Sequence, residues 1–442
     1  MSETKRELSR VAEKALDAAK KAGATEASAS VRQSRFFSVS IEDGEVDSLE
    51  ESADRGLSLR LFVEGRYLAA STSDLRPDAL RDFVSRGVEA ARFLDEEPDR
   101  RLPDEELLAD PPSVDLQNYD PAIDEVSKEH KMDMAVQAEA SARAVDPAIF
   151  HAQARFYESR RERVLHNSAG FEGHQLSTGF YVSASAFARD TEHKQRVQWD
   201  YRNGVKLSML DDPAAVGVEA ANRALRARGS RQVPSGKYDL VLENRVGDWL
   251  LRLLLVPING RILYQERSFL RDKLGEQVAT PLLTIRDEPK LKRALGSRLF
   301  DGEGIASRPR AIVEQGVLKN FFLDTFHARK LGIAPTSGSS SNLVLAPGEN
   351  SPDQIIKGVK KGIWVTGMQG GGSNSLTGDF SSGIGGFLIE NGEVGHPVGE
   401  INVAGRTQDL LMSIAEVGND PFLHSRRRVP TLKLPDLAVS GT

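Results

Sequence analysis

The sequence predicts an α+β protein: two helix and antiparallel-sheet modules, then a mainly β C-terminal domain built as a curved sheet or a barrel. Three observations support this prediction. The apolar period is helical at the start of the chain and then changes to two. The same order of elements recurs after a Pro-rich, acidic linker, and the last part of the chain is rich in glycine and strand-like segments. A chain of 442 residues is long enough for two to four domains.

The N-terminal module, 1–110, begins with an amphipathic helix predicted over 5–22. The period then becomes two, and an Asp-Gly pair and a Glu-Gly pair predict turns between three antiparallel strands. A second helix is predicted from Pro77 to about Leu94. The segment 95–120 is rich in proline and acid without periodicity, which indicates a linker.

The middle module, 118–228, repeats this order and suggests a diverged duplication. Helices are predicted over about 121–144 and 212–228. The strands between them are predicted at 148–157, 161–166, 173–187 and 192–201.

The C-terminal domain, 232–442, starts with a buried-type strand over 238–243. Asn244 is a plausible cap for a helix over 244–256, which is apolar nearly all round and is therefore expected in the core. Shorter helices are predicted at 324–331 and 405–415. The other predicted strands are 277–285, 309–315, 317–323, 362–368, 378–390 and 394–403.

Composition excludes several classes of function. The chain has no cysteine, which rules out disulfides, a cysteine nucleophile and thiolate metal sites. Its net charge of −6 argues against nucleic acid as a partner. The N-terminus lacks the apolar core of a signal peptide, and the longest apolar stretch is far shorter than the roughly 20 residues of a membrane span. We therefore expect a cytoplasmic protein without a membrane partner.

A search for chemical motifs finds little. There is no HExxH, HExxxH, GxSxG or P-loop sequence. His166 and His174 face each other across a predicted turn, but ordinary hydrogen-bonding histidines are far commoner than metal ligands. Asp301 and Glu303 form a carboxylate pair in an Asp-Gly-Glu-Gly segment that favours a turn over general acid–base catalysis.

Two glycine-rich runs, 367–374 and 381–386, leave two interpretations open. Neither run begins a predicted helix, so neither resembles a phosphate-binding loop. The structural interpretation is a flexible loop for the first run and a strand with close backbone approach for the second. The functional interpretation is a place where another backbone docks, because the conformational freedom of glycine serves either purpose.

The third domain is similar in an ordered set of motifs to the TldD/PmbA family, and the three-part layout of the family extends over nearly the whole chain. The motifs are Ser268-Phe269-Leu270, Asp272-Lys273-Leu274-Gly275, Phe300-Asp301-Gly302-Glu303-Gly304, Ala328-Arg329-Lys330-Leu331-Gly332, Thr377-Gly378-Asp379-Phe380-Ser381, Ile389-Glu390-Asn391-Gly392-Glu393, Gly418-Asn419-Asp420 and Pro430-Thr431-Leu432-Lys433-Leu434.

The resemblance implies a zinc site in TldD-type chains and its loss here. TldD-type subunits have HExxxH on the first helix of the last domain, together with a cysteine near the C-terminus. The corresponding positions here hold Arg252, Leu253 and Pro257, and the chain has no cysteine. Neither a guanidinium nor a proline ring supplies a zinc ligand, and leucine cannot accept a proton. The resemblance is therefore to the PmbA (TldE) side, with no catalytic residue, metal or cofactor in this chain.

The family's biology implies a partnership. We expect a heterodimer with a TldD-like, zinc-bearing subunit and an extended peptide as substrate, drawn from unfolded proteins or ribosomally made peptides. An older name for the family is modulator of DNA gyrase. The peptide-cleft candidates, where a substrate strand would add to a sheet edge, are Gly370, Gly371, Gly372, Ser373 and Asn374.

Two other readings stay open. The first is a peptide-binding or scaffold homodimer without peptidase activity, because resemblance of fold does not fix function. The second is a stand-alone hydrolase, which would need a nucleophile or metal site that the motifs do not contain.

Overall fold

The N-terminal half contains five helices and six strands among the described residues. The sequence predicts four helices and seven strands, because it predicts a single helix over 121–144 and two strands over 148–166. The computed structural model describes residues 3–110, 114–190, 194–210 and 212–442. The helices in this half are α1 (Glu3–Ala22), α2 (Pro77–Ala91), α3 (Ala122–Glu125), α4 (Lys128–Ala144) and α5 (Pro213–Arg226). The strands are β1 (Glu26–Glu42), β2 (Glu45–Val63), β3 (Arg66–Thr72), β4 (Ile149–Asn167), β5 (Glu172–Arg189) and β6 (Gln195–Gly204).

The two modules share one antiparallel sheet of six strands, in the order β3-β2-β1-β4-β5-β6. The first strand of each module joins the halves, since β1 pairs with β4 continuously from Ser28↔Asn167 to Glu42↔Gln153. Each half is thus a helix, a three-stranded meander and a helix. This order is the one expected of a duplication.

The helices of both modules pack on the same face of the shared sheet. Alternate residues of β1 face two neighbouring core clusters: Ala29 and Val31 contact the α1–α2 cluster, while Val39 and Ile41 contact the α4–α5 cluster. This alternation follows the period-two pattern of a half-buried strand. The opposite face of the sheet turns partly towards the C-terminal domain.

The prediction of separate strands at 148–157 and 161–166 was wrong, because β4 runs unbroken through the polar residues between them. This segment lies in the middle of the sheet with its acids buried. Glu158, for example, accepts a 2.7 Å hydrogen bond from Lys131 of α4. Polar partners from the neighbouring helix therefore stabilise a strand that its composition does not favour.

The C-terminal domain contains five helices and eleven strands among the described residues. The helices are α6 (Asp248–Leu255), α7 (Gly260–Tyr264), α8 (Thr325–Leu331), α9 (Pro352–Lys357) and α10 (Thr407–Ser413). The strands are β7 (Gly236–Leu242), β8 (Ile285–Asp287), β9 (Arg310–Glu314), β10 (Val317–Leu318), β11 (Leu343–Leu345), β12 (Lys361–Ser373), β13 (Asp379–Glu390), β14 (Glu393–Arg406), β15 (Glu416–Val417), β16 (Arg427–Arg428) and β17 (Leu432–Ser440).

Five of these strands close into a barrel, which confirms the barrel-like prediction for this domain. The sheet runs β14-β13-β12-β7-β17, and β17 also pairs with β14 through Asn402↔Ser440 and Val403↔Val439. A second, five-stranded sheet has the order β10-β9-β8-β11-β16. Two strand predictions were wrong in their bounds. Of 277–285 only Ile285 lies in a strand, as the first residue of β8, and 317–323 shortens to β10.

Helix α6 lies in the core between these sheets, as its apolar sequence predicts. Leu250, Leu251 and Leu254 are at most 2% exposed and share a cluster with the barrel interior. The helix begins later than predicted, at Asp248. Asn244 does not cap it, because the N-cap residue is Gly247, which has no side-chain cap. The Asn244 side-chain amide donates to the Asp420 carbonyl oxygen.

No helix within the described residues is both long and apolar enough to cross a membrane.

Candidate functional site

A groove lies where the edge of the N-terminal sheet meets the C-terminal barrel. Strand β6 is the outermost strand of its sheet and pairs only with β5 among the described residues. On the barrel, pairing of β12 with β7 ends at Val365↔Leu242, so over 366–373 the described chain pairs with β12 through β13 alone. Two sheet edges that pair with no further strand in the described residues thus border the same space.

Two adjoining cavities fill this space, and we call them together the edge groove. Their volumes are about 320 and 280 Å³, and both are lined by Gln198, Arg223, Thr366 and Gly367. The first cavity touches four consecutive β6 residues, 195–198. Side chains of consecutive strand residues point to opposite faces, so this contact follows the strand edge rather than one face.

The exposed side of α6 forms part of the groove wall. Asp248 accepts hydrogen bonds from Arg252, at 3.0 Å, and from Arg427, at 2.9 and 3.1 Å. The Arg252 side chain is 57% exposed and that of Arg427 is 21% exposed. The two guanidinium groups share one carboxylate and therefore keep donors for a further anion.

On the other side, α5 attaches the middle module to the barrel. Arg223 donates to both carboxylate oxygens of Glu243, at 2.8 and 2.7 Å. It also donates to the carbonyl oxygen of Thr366, in the segment of β12 that no longer pairs with β7, which we call the free segment of β12. Burial by itself lowers the pKa of Arg223, but the hydrogen bonds and charge of Glu243 raise it above the ordinary value. This bidentate pair fixes the distance between the groove walls.

Aromatic rings and a buried acid make up the floor near β6. Trp199 stacks on Tyr201 with ring centres 5.4 Å apart, and the Tyr201 ring meets Phe422 edge-on. Burial raises the pKa of Tyr201 to about 12, so its hydroxyl stays neutral. Asp200, fully buried, accepts from Arg245, whose guanidinium lies over the Phe422 ring. Trp199, by contrast, is 54% exposed and available for contact.

The three positions that the resemblance assigns to a lost zinc site are divided between groove and core. Arg252 lines the groove. Leu253 is 7% exposed and packs in the domain core, and Pro257 is buried just after α6. The side chains at these positions do not fit zinc, because they offer no nitrogen or oxygen ligand beyond a cationic guanidinium. Within the described ranges, no three His, Cys, Asp or Glu residues are grouped so that they could hold a metal ion.

The five peptide-cleft candidates lie together at the exposed end of the β12–β13 hairpin. Gly370 and Gly371 have φ of +59° and +106° and form an irregularity in the pairing, while Gly372 pairs with Ser381. Ser373 ends β12, and Asn374 donates its backbone N–H to the Asp379 carbonyl oxygen. They continue the free segment of β12, although the lining of the two cavities ends at Gln369.

Other motifs from the sequence have structural roles. Asp301 accepts hydrogen bonds from the backbone N–H groups of Glu303 and Ile305, which confirms the turn. Glu303 accepts from Thr325 at the start of α8, and burial raises the pKa of Glu303. His174 contacts Glu162 at 3.0 Å. His193 and Asp211, two further polar residues of the sequence, lie outside the described residues.

Sequence reasoning missed most of the groove. Trp199, Arg223, Arg245 and Phe422 come from four separate parts of the chain and carry no shared motif. Arg252 was singled out for a different reason, and the two glycine-rich runs contribute Gly367, Gln369, Gly385 and Gly386 to the lining.

Family models match all three parts of the chain. The PmbA/TldA metallopeptidase domain 1 matches residues 27–91, the central domain 121–228 and the C-terminal domain 235–441. The chain belongs to the PmbA/TldD family. Metalloprotease PmbA of Escherichia coli O157:H7 is 33% identical over 419 residues, covering 94% of this chain and 92% of that protein. A PmbA homologue of Haemophilus influenzae is 29% identical and covers 98% and 96%.

Solved structures of this family share the fold. A Bacteroides thetaiotaomicron protein described as a modulator of DNA gyrase superposes with a TM-score of 0.95 at 36% identity, covering 98% of this chain and 99% of that one. TldE from Thermococcus kodakarensis gives a TM-score of 0.87 at 21% identity, covering 98% and 100%. At that identity, the second likeness shows the fold alone.

Proposed function

We propose that this chain is the non-catalytic, PmbA/TldE-like subunit of a TldD/TldE-type zinc metalloprotease complex in the cytoplasm. Its partner would be a TldD-like subunit that holds the zinc, and its substrate an extended segment of an unfolded or ribosomally made peptide. The observation that carries the proposal is the side-chain set on and after α6. Leu253 is buried in the core and Arg252 is bonded to Asp248, so neither position is ready for metal or water chemistry.

The test is purification of the tagged full chain from its native cells, with mass spectrometry and zinc analysis of the eluate. We expect a stoichiometric partner carrying HExxxH, with zinc following the partner when the two are separated. A homo-oligomer without zinc or partner would favour the peptide-binding or scaffold homodimer. Zinc bound to this chain alone would contradict the proposal outright.

The five candidates at the hairpin end give a second test, of the peptide wall. Gly372 has room for a side chain, since a Cβ there meets nothing within 4 Å, and its φ is not positive. We expect Gly372→Val to lower peptide processing by the purified complex about fivefold by blocking strand addition, while the subunits still assemble. Gly371 is a poorer test site, because a Cβ there lies 2.5 Å from the Ser381 carbonyl oxygen.

Processing is measured with a fluorogenic peptide at saturating partner, and assembly by gel filtration. Gly236→Val is the matched control, because Gly236 is also an exposed strand glycine without a positive φ, and a Cβ there makes only an ordinary 3.8 Å contact, outside the candidate segment. Unchanged processing in Gly372→Val, with assembly intact, would show that these five residues do not contact the peptide substrate.

A further inference from the structure

The charged side chains that line the edge groove are mostly cationic, whereas the whole chain is acidic. The protein carries 58 Lys and Arg against 64 Asp and Glu. Among the described residues that line the groove, the acids are Asp248 and Glu400. The basic residues there, all arginines, are Arg196, Arg223, Arg226, Arg245, Arg252 and Arg427. Four further acids, Asp190, Asp200, Glu219 and Glu243, pair with these arginines from behind the lining. The positive excess is therefore at the rim, where Arg252 and Arg427 share the single carboxylate of Asp248, and such an excess attracts anionic ligands.

Some of these arginines are committed to the fold and others are not. Arg223 and Arg245 are 8% and 17% exposed and bind Glu243 and Asp200. Arg252 is 57% exposed, with one carboxylate partner that it shares with Arg427. Arg226 is 48% exposed, and its contact with Glu219 is 3.6 Å long. The groove thus has structural arginines on its floor and accessible ones at its rim.

Arginine suits carboxylates in particular. Its planar guanidinium donates two parallel hydrogen bonds to a carboxylate, which a lysine ammonium cannot do. The groove also offers two backbone edges and an exposed Trp199, which are features that recognise an extended peptide chain. Backbone edges give a nucleic acid no comparable partners, so the combination favours a peptide over another polyanion.

We propose that the edge groove binds extended peptide segments rich in Asp and Glu, with acidic side chains held by Arg252 and Arg226. This inference deepens the proposed function, on which it rests for the role of the peptide as substrate. It names the chemical class that the non-catalytic subunit selects. The binding site lies on this chain alone, so binding does not need the zinc-bearing partner.

The experiment is fluorescence anisotropy with the full chain and three labelled hexapeptides that alternate Ala with Glu, Gln or Lys. We expect the Glu peptide to bind about tenfold more tightly than the Gln peptide at low salt, and the difference to shrink as salt rises. Equal affinity for the Glu and Gln peptides would overturn the proposal. Tighter binding of a single-stranded oligonucleotide than of the Glu peptide would also overturn it.

Substitutions of the groove arginines test whether the peptide binds in the groove. Arg252→Gln should weaken the Glu peptide about fivefold, and the double variant with Arg226→Gln about tenfold, without affecting the Gln peptide. The matched control is Arg81→Gln, because Arg81 is also exposed on a helix and paired with an aspartate one turn earlier. An equal effect of Arg81→Gln, or none of Arg252→Gln, would contradict the site.

The two proposals fail separately. If a zinc-bearing partner copurifies but the chain binds the Glu and Gln peptides equally, only the proposed preference for acidic peptides is contradicted. If the chain binds acidic peptides selectively but never copurifies with a partner, the peptide-binding groove is supported and the protease complex is contradicted.

Discussion

The two glycine-rich runs lie on paired neighbouring strands of the barrel, yet their environments are opposite. On β13, Gly383 and Gly386 let β12 approach: a Cβ on Gly383 would lie 2.6 Å from the Gln369 carbonyl oxygen, and one on Gly386 would collide with that of Trp364. On β12, Gly370 and Gly372 have nothing within 4 Å of a built Cβ. Apart from Gly371, whose built Cβ lies 2.5 Å from the Ser381 carbonyl oxygen, similar composition therefore serves close packing on β13 and exposure at the end of β12.

The comparison shows that a glycine-rich run does not by itself indicate one structural role. The reading of a strand with close backbone approach is confirmed for the second run. The first run is an exposed strand end whose pairing is irregular at Gly370 and Gly371, both of which have a positive φ. Substitutions graded along these strands separate the two roles.

The largest effect is expected for Gly386→Ala. The new methyl group must displace the β12 backbone, which should lower the free energy of unfolding by about 3 kcal/mol. Urea denaturation followed by circular dichroism measures it. Gly385→Ala is the matched control, because a Cβ there makes an ordinary 3.5 Å contact. Similar losses for both variants would break the comparison.

Gly371→Ala should cost less, about 2 kcal/mol. The position combines a φ of +106° with a Cβ contact of 2.5 Å to the Ser381 carbonyl oxygen. The hairpin end is exposed, however, and relaxes more easily than the interior. The same denaturation assay applies, and a cost equal to that of Gly386→Ala would show that the end is as rigid as the barrel.

Ser382→Ala sharpens the comparison by testing what lies beneath the first run. The Trp249 indole N–H of α6 donates to the Ser382 hydroxyl at 3.0 Å, and both residues are buried. Loss of the acceptor should cost about 1 kcal/mol in unfolding free energy. Ser381→Ala, at the exposed neighbouring position, should cost nothing measurable. Equal values would mean that the hydrogen bond contributes nothing.

The smallest effect is expected for Gly372→Ala, within about 0.5 kcal/mol of the parent. Its Cβ points into open space and its backbone needs no glycine. A loss above 1 kcal/mol, measured by the same urea titration, would show that this strand end packs more tightly than its contacts indicate.

Local signals predicted most helices and the long strands, but not the strand that closes the barrel. β17 contains Pro435, and a proline argues against a paired strand. The structure accommodates it with an irregularity in the β7 pairing between Leu434 and Leu437, where Asp436 has a φ of +56°. A bulge depends on the partner strand, so the sequence of β17 alone does not reveal it.

Local sequence patterns could not predict the edge groove, for a related reason. Arg252 follows from a family resemblance on one helix, whereas Arg223 and Trp199 enter the site only because β6 is the last strand of its sheet. An edge is a property of the whole sheet order, which depends on contacts between distant parts of the chain. The pairing of β1 with β4 was equally hidden, since it joins segments more than one hundred residues apart.

That pairing changes what the linker between the modules does. Fifteen register pairs hold β1 to β4, so the two halves form one continuous plate. The described part of the linker packs against the C-terminal domain, where Arg329 donates to the carbonyl oxygens of Asp99, Arg101 and Leu102. A protease that cleaves within 95–120 should leave both fragments in a single particle under native conditions, because β1 stays paired with β4. Any motion that opens the groove must therefore take place between the plate and the barrel, not within the plate.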